Sequence, residues 1–516
     1  MAFFRSGGAL LAGTITATRV GRRYHEPPMA DTSDLVSAID RLKQGRILCI
    51  GDVMLDHYVY GQVERVSPEA PIPVLSIEHE LKTLGGAGNV LRNLTALGVG
   101  SSFISVVGSD DAGREIQRLL AAQNGAEVHA LVQPQRTTTV KTRYVAANQQ
   151  LLRADRETPS PLDPYIREDL LRLARELVAT HSVVIISDYA KGVLTEGVAL
   201  EIIRAAREAG ARVVVDPKGG DHIRYRGADL LKPNRRELAH ATGMPVATES
   251  EIVAAARSLI ERCGFATVLV SLGSEGMVLV GADGSVHNQQ AQIHEVYDVS
   301  GAGDTVVAVV AAALGAGLGT VDAARLANVA AGIVVGKIGT AVVYPSELVA
   351  RLDGREPDSA DKVMPRAQAL DLVERWHRQG LLIGFTNGCF DLLHPGHVSL
   401  ISQARAACDR LVVGLNNDRS AQRLKGPTRP IQRESARSAV LASLAAVDLI
   451  VVFEEDTPIE LIRAIRPRVL VKGADYRLDE VVGADIVKRY GGEVLLAELT
   501  PGYSTTATIA RFARSA

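Results

Sequence analysis

Short runs of Val, Ile and Leu that end on Gly, Asp or Asn and lead into helical patterns recur along this chain: RILCIGDVMLD, FISVVGSDD, VVIISDYAKG, RVVVDPK and TVLVSLGSEG. The runs are continuous rather than alternating, which marks strands covered on both faces. With helices between them they predict an α/β parallel sheet, whose ligands collect at the carboxyl ends of the strands. The pattern lapses at RLDGREPDSADKVMPRAQ, residues 351–368, which is charged, interrupted by two prolines and poor in apolar periodicity. It reads as a linker. The alternation then restarts with LLIGFTNGCFD, SLISQARAAC, RLVVGLNND, LIVVF and VLVKGAD, and a last strand, EVLLAEL, leads through TPGYSTT into a short helix. The 516 residues exceed one ordinary core. We expect an α/β unit over 31–350, a linker over 351–372 and a smaller α/β unit over 373–516, each able to fold and work alone.

Composition narrows the partners. A net charge of −2 gives no electrostatic footprint for nucleic acid, and no apolar run is long enough to span a bilayer. Cys49, Cys263, Cys389 and Cys408 are scattered, without a CxxC pair or zinc spacing, as expected for reduced thiols in the cytoplasm. Residues 1–30 carry four arginines before the first acid, Glu26, and GALLAGTITA only imitates a signal-peptide core. A disordered extension is expected there, with Met29 an alternative start.

Two stretches look built to hold phosphate. In DVSGAGDT, residues 298–305, Gly301 and Gly303 let backbone approach a ligand at the start of an apolar helix, where free N–H groups suit an anion. Asp304 would repel that anion, so it needs another purpose. Taking the proton from an attacking hydroxyl is one, and capping the helix is the other.

Further stretches follow the same logic. LGGAGNVLRNLTALG (84–98) feeds a glycine-rich loop into a helix, LLKPNRRE (230–237) places Asn234 and Glu237 three apart, and SLGSEG (271–276) is a glycine turn. In this order they resemble the ribokinase-like carbohydrate kinases of the PfkB family, over roughly residues 40–345. The resemblance implies that Asp304 is the catalytic base and that Gly301, Ala302 and Gly303 form the anion hole. Asn234 and Glu237, with Arg235 and Arg236 between them, would organise Mg²⁺ and the nucleotide phosphates, through water. Ser271, Gly273 and Gly276 would lie beside the nucleotide. Asp52 or Asp56, with Gly85, Gly86 and Asn89, would hold sugar hydroxyls, Asp56 having a turn or cap role as its alternative. Relatives of this kind dimerise through a small lid sheet, so a homodimer through the kinase unit is expected.

The second stretch, TNGCFDLLHPGH (386–397), sets His394 and His397 around Pro395-Gly396 at the start of a helix, where donors converge. As zinc ligands they lack a third partner at a common spacing, and capping is the structural alternative. Together with GLNNDRS, RLKGPTRP and GYSTTATI they resemble the HxGH nucleotidyltransferases of the cytidylyltransferase type, over roughly residues 380–516. By that resemblance the histidines contact nucleotide phosphates, within a loop of Thr386, Asn387, Gly388 and Phe390. Lys425, Ser504, Thr505 and Thr506 would add phosphate contacts, and Asp418 and Lys472 would neighbour the nucleotide.

The residue types suit two reactions. A neutral hydroxyl must lose a proton as it takes up a phosphoryl group, which calls for a base. A sugar 1-phosphate attacking an α-phosphorus is already ionised and needs only its growing charge relieved. The order of the halves, with GDVMLDHYVYGQVERVSPEAPIPV near the start, is similar to the family of fused heptose kinases and adenylyltransferases that make ADP-heptose for bacterial lipopolysaccharide. That resemblance implies ATP and sugar phosphates as substrates, Mg²⁺, and a separate phosphatase acting between the steps. A kinase and cytidylyltransferase for another sugar or polyol, and a nucleotide-sensing scaffold, are the alternatives.

Overall fold

The computed structural model describes residues 31–498, apart from 147–148, 196, 292–295, 297, 338, 354–358 and 475. The N-terminal extension, Ser504, Thr505, Thr506 and the last helix lie outside the described residues.

The first domain is built on a nine-stranded sheet. Its order is Val286–Gln289, Met277–Gly281, Thr267–Ser271, Leu230–Leu231, Arg212–Asp216, Val183–Ser187, Arg46–Gly51, Gly100–Gly108, Ala126–Gln133. From Thr267–Ser271 onward neighbours run parallel, whereas the first two strands form an antiparallel edge. The continuous apolar runs feed two cores. Ile47, Cys49, Val183 and Ile185 point to one face, and Leu48, Ile50, Val184 and Ile186 to the other. Helices cover both faces, so the central strand Val183–Ser187 and residues 47–51 of its neighbour are buried at every position.

RILCIGDVMLD is not one strand. It turns at Asp52, and Val53–Val66 leaves the main sheet to form a four-stranded lid in the order Pro73–Gly86, Val53–Val66, Val140–Ala146, Gln149–Arg156. Gly51, Ser187 and Asp216 are aligned by register at the carboxyl edge, beneath that lid.

The second domain has a five-stranded parallel sheet in the order Leu449–Phe453, Arg410–Asn416, Ile383–Gly388, Val469–Gly473, Glu493–Ala497. It too is covered on both faces. Between the domains the expected linker narrows. Helix Arg366–Arg378 begins inside the 351–372 stretch, and Ala369 is already part of the second core. Pro365 is not an interruption there. It stands just ahead of the first turn, where its missing N–H costs nothing.

Candidate active sites

In the first domain the helix Ala302–Gly315 starts from Gly301, whose φ of 79° is left-handed. A Cβ at Gly301 would stand 2.7 Å from Asn89 Nδ2, so both conformation and space require glycine. Gly301 occupies the capping position, which answers one alternative: Asp304 is not the cap. Its carboxylate accepts from Asn89 Nδ2 at 2.8 Å and from the Tyr189 hydroxyl. Burial pushes this carboxyl up to about 6, against the pull of the Tyr189 and Asn89 hydrogen bonds.

Asn89 is itself held. It lies on helix Ala87–Ala96, and its Oδ1 accepts from Arg92 Nη1 at 3.1 Å. Arg92 also donates to the Thr340 carbonyl at 2.8 Å. Lys232 is buried, with Nζ 3.0 Å from Asp216 Oδ1 and 3.2 Å from the point where a Cβ on Gly303 would sit. Burial alone would lower this lysine, but Asp216 more than reverses that. A fixed positive charge therefore stands beside the Gly301–Gly303 loop and the start of its helix.

The two aspartates of GDVMLD part company. Asp52 accepts the backbone N–H groups of Tyr189, Lys191 and Val193 at 2.9–3.0 Å, so it shapes the loop that presents Tyr189. That is a different task from holding sugar hydroxyls. Asp56, 3% exposed, accepts from Arg143 Nη1 at 2.6 Å, and a Cβ at Gly85 would strike its other oxygen. Gly86 precedes the Asn89 helix.

Asn234 caps helix Arg235–Thr242 in a reciprocal box. Its Oδ1 accepts the Glu237 N–H at 2.9 Å, and Glu237 Oε2 accepts the Asn234 N–H at 3.0 Å. Lys218 Nζ meets the other Glu237 oxygen at 2.9 Å. Asn234 bridges Ser271, and Arg235 reaches Glu275 at 2.6 Å, which ties this turn to the Gly273–Gly276 loop. Arg236 is exposed.

In the second domain His394 occupies the capping position of helix Pro395–Ala406 without making a side-chain cap. The rings of His394 and His397 stack at 3.8 Å, and Phe390 tilts against His397 at 5.4 Å. Burial, and then the neighbouring His394, pushes His397 down to about 4, and burial lowers His394. Burial thus disfavours the protonated form of both rings. Their Nδ1 atoms and Asn387 Oδ1 are buried without hydrogen-bond partners, the signature of a site waiting for a polar ligand. Phe390 and Leu392 hold left-handed φ values of 44° and 65°, strain concentrated in this loop. Among the described residues no group of three His, Cys, Asp or Glu is arranged to hold a metal ion.

Thr386 is buried in strand Ile383–Gly388, and Lys472 Nζ donates to the Asn387 carbonyl at 3.0 Å. Asp418 is paired with Arg437 at 2.7 Å, and Lys425 is exposed at the end of helix Asp418–Lys425. Arg437 is 1% exposed and also donates to the carbonyls of Cys389 and Asn416. Sequence reasoning did not single out Arg437, Tyr189, Arg92 or Lys232. Only for Lys232 was there a signal, a lysine between an apolar strand and Pro233-Asn234.

Residues 44–347 match the pfkB family carbohydrate kinase model, and residues 385–511 match the cytidylyltransferase-like model. The "Bifunctional protein HldE" of Paramagnetospirillum magneticum is 56% identical over 482 residues, covering 93% of this chain and 99% of that protein. That of Rhodospirillum rubrum is 56% identical over 484 residues, 94% and 98% of the two chains. That of Hyphomonas neptunium is 45% identical over 480 residues, 93% and 99%. Among solved structures, the tetrameric inhibited form of phosphofructokinase-2 from Escherichia coli matches 60% of this chain and 99% of that one, with a TM-score of 0.51 and 20% identity. That likeness is one of fold.

Proposed function

The chain belongs to the bifunctional HldE family, a pfkB carbohydrate kinase joined to a cytidylyltransferase-like domain, and from that premise we propose how each half works. It is a bifunctional heptose kinase and adenylyltransferase. The first half phosphorylates heptose 7-phosphate at C1. Asp304 takes the proton of the anomeric hydroxyl as that oxygen bonds to the γ-phosphorus of ATP and ADP leaves. The observation that carries this reading is the Asp304 carboxylate itself, held by Asn89 and Tyr189 at a helix start whose free N–H groups suit an anion. Lys232 and the N–H groups of Gly301, Ala302 and Gly303 receive the charge of the transferring group. Asp56, Gly85, Gly86 and Asn89 orient the sugar, while Asn234, Arg235, Arg236, Glu237, Ser271, Gly273 and Gly276 lie on the nucleotide side.

The second half joins heptose 1-phosphate to AMP and releases pyrophosphate. The nucleophile arrives ionised, so His394 and His397 act as neutral donors to nucleotide phosphate oxygens rather than as bases. Thr386, Asn387, Gly388 and Phe390 shape the loop, and Arg437 holds it against Asp418. Lys425, Lys472, Ser504, Thr505 and Thr506 complete the phosphate and nucleotide contacts.

Mg²⁺, when bound with the nucleotide, would serve both reactions by offsetting phosphate charge. The residues fit a water-mediated role: Asn234 and Glu237 are engaged with each other's N–H groups, and Glu237 with Lys218. An ion that keeps most of its waters and takes substrate phosphate oxygens matches such a site. The 7-phosphate must leave between the two steps, which assigns that step to a separate phosphatase. Val63, Val66, Ile77, Leu151 and Leu152 are exposed on the lid sheet, which supports a homodimer through the kinase domain. No helix among the described residues is long and apolar enough to cross a membrane. Free thiols and ATP as substrate support a cytoplasmic enzyme acting on small molecules.

The test is direct. Heptose 7-phosphate with ATP should give the 1,7-bisphosphate, and heptose 1-phosphate with ATP should give ADP-heptose and pyrophosphate. A preference for CTP in the second reaction, or for unphosphorylated sugar in the first, would overturn the substrate assignments.

A further inference from the structure

Helix Arg366–Arg378 belongs to the adenylyltransferase domain by its packing. Ala369, Val373 and Trp376 enter the core with Phe385, Val451 and Ile462, and His377 Nε2 lies 2.8 Å from the Ile465 carbonyl. Its other side meets the kinase domain. Asp371 accepts from the Tyr344 hydroxyl at 2.7 Å, and Gln368 Nε2 reaches Ser346 Oγ at 3.3 Å. The last residue of the helix goes further. Arg378, its side chain only 12% exposed, lies 6.0 Å over the ring of Tyr58 and directly against Gly339, where a Cβ would collide with its guanidinium. That same point is 3.9 Å from the Tyr58 hydroxyl oxygen, so Gly339, Tyr58 and Arg378 meet at one place.

Two arms of the kinase site start from this junction. Tyr58 is on the lid strand, two residues from Asp56 and on the same face. Arg143, which lies 5.0 Å over the Tyr58 ring, is the residue that donates to Asp56 at 2.6 Å. The second arm begins at Gly339, whose N–H donates to Asp298 Oδ2 at 3.0 Å. Asp298 Oδ1 in turn accepts from the N–H of Ser300 at 2.8 Å, immediately before Gly301. The next residue, Thr340, contacts Thr83 of the lid at 3.4 Å, and its carbonyl receives Arg92, the partner of Asn89. A shift at Gly339 is therefore felt by the phosphoryl-transfer loop, and a shift at Tyr58 by the sugar lid.

We infer that Arg378 is a positioning residue for the kinase, supplied by the adenylyltransferase domain, which fixes the sugar lid and the phosphoryl-transfer loop relative to each other. It touches neither substrate. Its flat guanidinium fills the space that a glycine leaves open and stacks on an aromatic face, two things a lysine does poorly. The inference rests on the kinase reading above. It concerns the difference between variant and wild type, so failure of the substrate assignment would show first, as inactivity of the wild type.

The test is made on the full-length chain. R378A should raise both KM and the calorimetric Kd for heptose 7-phosphate by roughly 5–20-fold, while KM for ATP changes by less than about twofold. Adenylyl transfer should be unchanged, which also reports that the second domain is folded. R378K should fall between R378A and wild type. Y58L should reproduce the loss in sugar-phosphate affinity, and R378A/Y58L should be no worse than the poorer single variant, because one contact has been removed twice. The inference is overturned if R378A leaves sugar-phosphate KM and Kd within about twofold of wild type, or if the two losses multiply. It is overturned equally if R378A lowers Tm and both activities together with KM unchanged, the mark of a purely structural residue.

Discussion

Both sites are built at the start of a helix, behind a strand that ends in the sheet, yet burial does opposite things in them. At the Gly301 helix it raises a carboxyl to about 6, and at the His394 helix it lowers an imidazole to about 4. Desolvation disfavours the charged form in each case. In the proposed roles the carboxylate becomes a better proton acceptor, whereas the imidazoles serve as donors. The difference follows the nucleophile. A sugar hydroxyl must be deprotonated during attack, while a sugar phosphate arrives with its charge already in place. One kind of scaffold thus serves both chemistries, and the side chain set against the helix start decides which.

The sharpest way to break this contrast is to remove the base. D304N keeps the shape of the side chain, so kinase turnover should fall by about 10²–10⁴-fold while adenylyl transfer is untouched. Near-normal turnover with heptose 7-phosphate and ATP would leave Asp304 without a catalytic role. Next in size, H394A or H397A should lower adenylyl transfer by roughly 10²–10³-fold, the range for losing one preorganised donor, with kinase activity unchanged. Zinc that copurifies in stoichiometric amount and alone restores activity after chelation would contradict the donor role.

The pH profiles should then separate the halves. With Asp304 as the proposed base, kcat/KM of the kinase should drop below pH 6 and approach about tenfold per unit. Adenylyl transfer should show no loss of activity through deprotonation of His397 from pH 6 to 8, because His397 titrates far below that window. Parallel profiles would mean that the same type of group limits both reactions. Of similar size is the effect of separating the domains. A kinase fragment ending at residue 355 lacks Arg378 and leaves the Tyr58 ring without it, so we expect it to fold yet bind heptose 7-phosphate as weakly as R378A does. An adenylyltransferase fragment should start before Pro365. A start at 370 would remove the first turn of a helix whose Ala369 is in the core.

That correction shows where the sequence was readable. Continuous apolar runs exposed both main sheets, because strands buried on two faces carry no polar positions to blur them. The lid was not legible: Gln149–Arg156 is exposed at every position, and with no face to bury, no period is imposed on it. Helix Arg366–Arg378 does carry a stripe at Ala369, Val373 and Trp376, yet the charges and Pro357 just before it dominated the reading. Within the sites, residues inside a glycine-marked loop declared themselves. Tyr189, 115 positions from Asp304, and Arg437, 48 from Cys389, did not. Such partners are chosen by the fold, and local sequence has no term for them.

The smallest effect tests the same electrostatics in the absence of substrate. Asp304 has its carboxyl raised from the ordinary 3.8 to about 6, so between those values the native state binds the proton more tightly than the unfolded chain. Stability from this group is therefore fully present below about pH 4 and lost as pH rises through 6, about 3 kcal/mol in all. D304N cannot ionise and escapes that loss. Its amide can still accept from Asn89 through Oδ1 and donate to the Tyr189 oxygen through Nδ2, at a cost of about 1 kcal/mol if the match is imperfect. The variant that loses the kinase should hence melt above wild type by a few degrees at pH 8, with the gap closing as pH is lowered toward 4. Calorimetry of the two proteins across that range reads the sign directly. A D304N variant that melts lower at pH 8, or a gap that widens in acid, would mean that Asp304 is held charged by its neighbours at no cost, and the contrast with the histidine pair would rest on geometry alone.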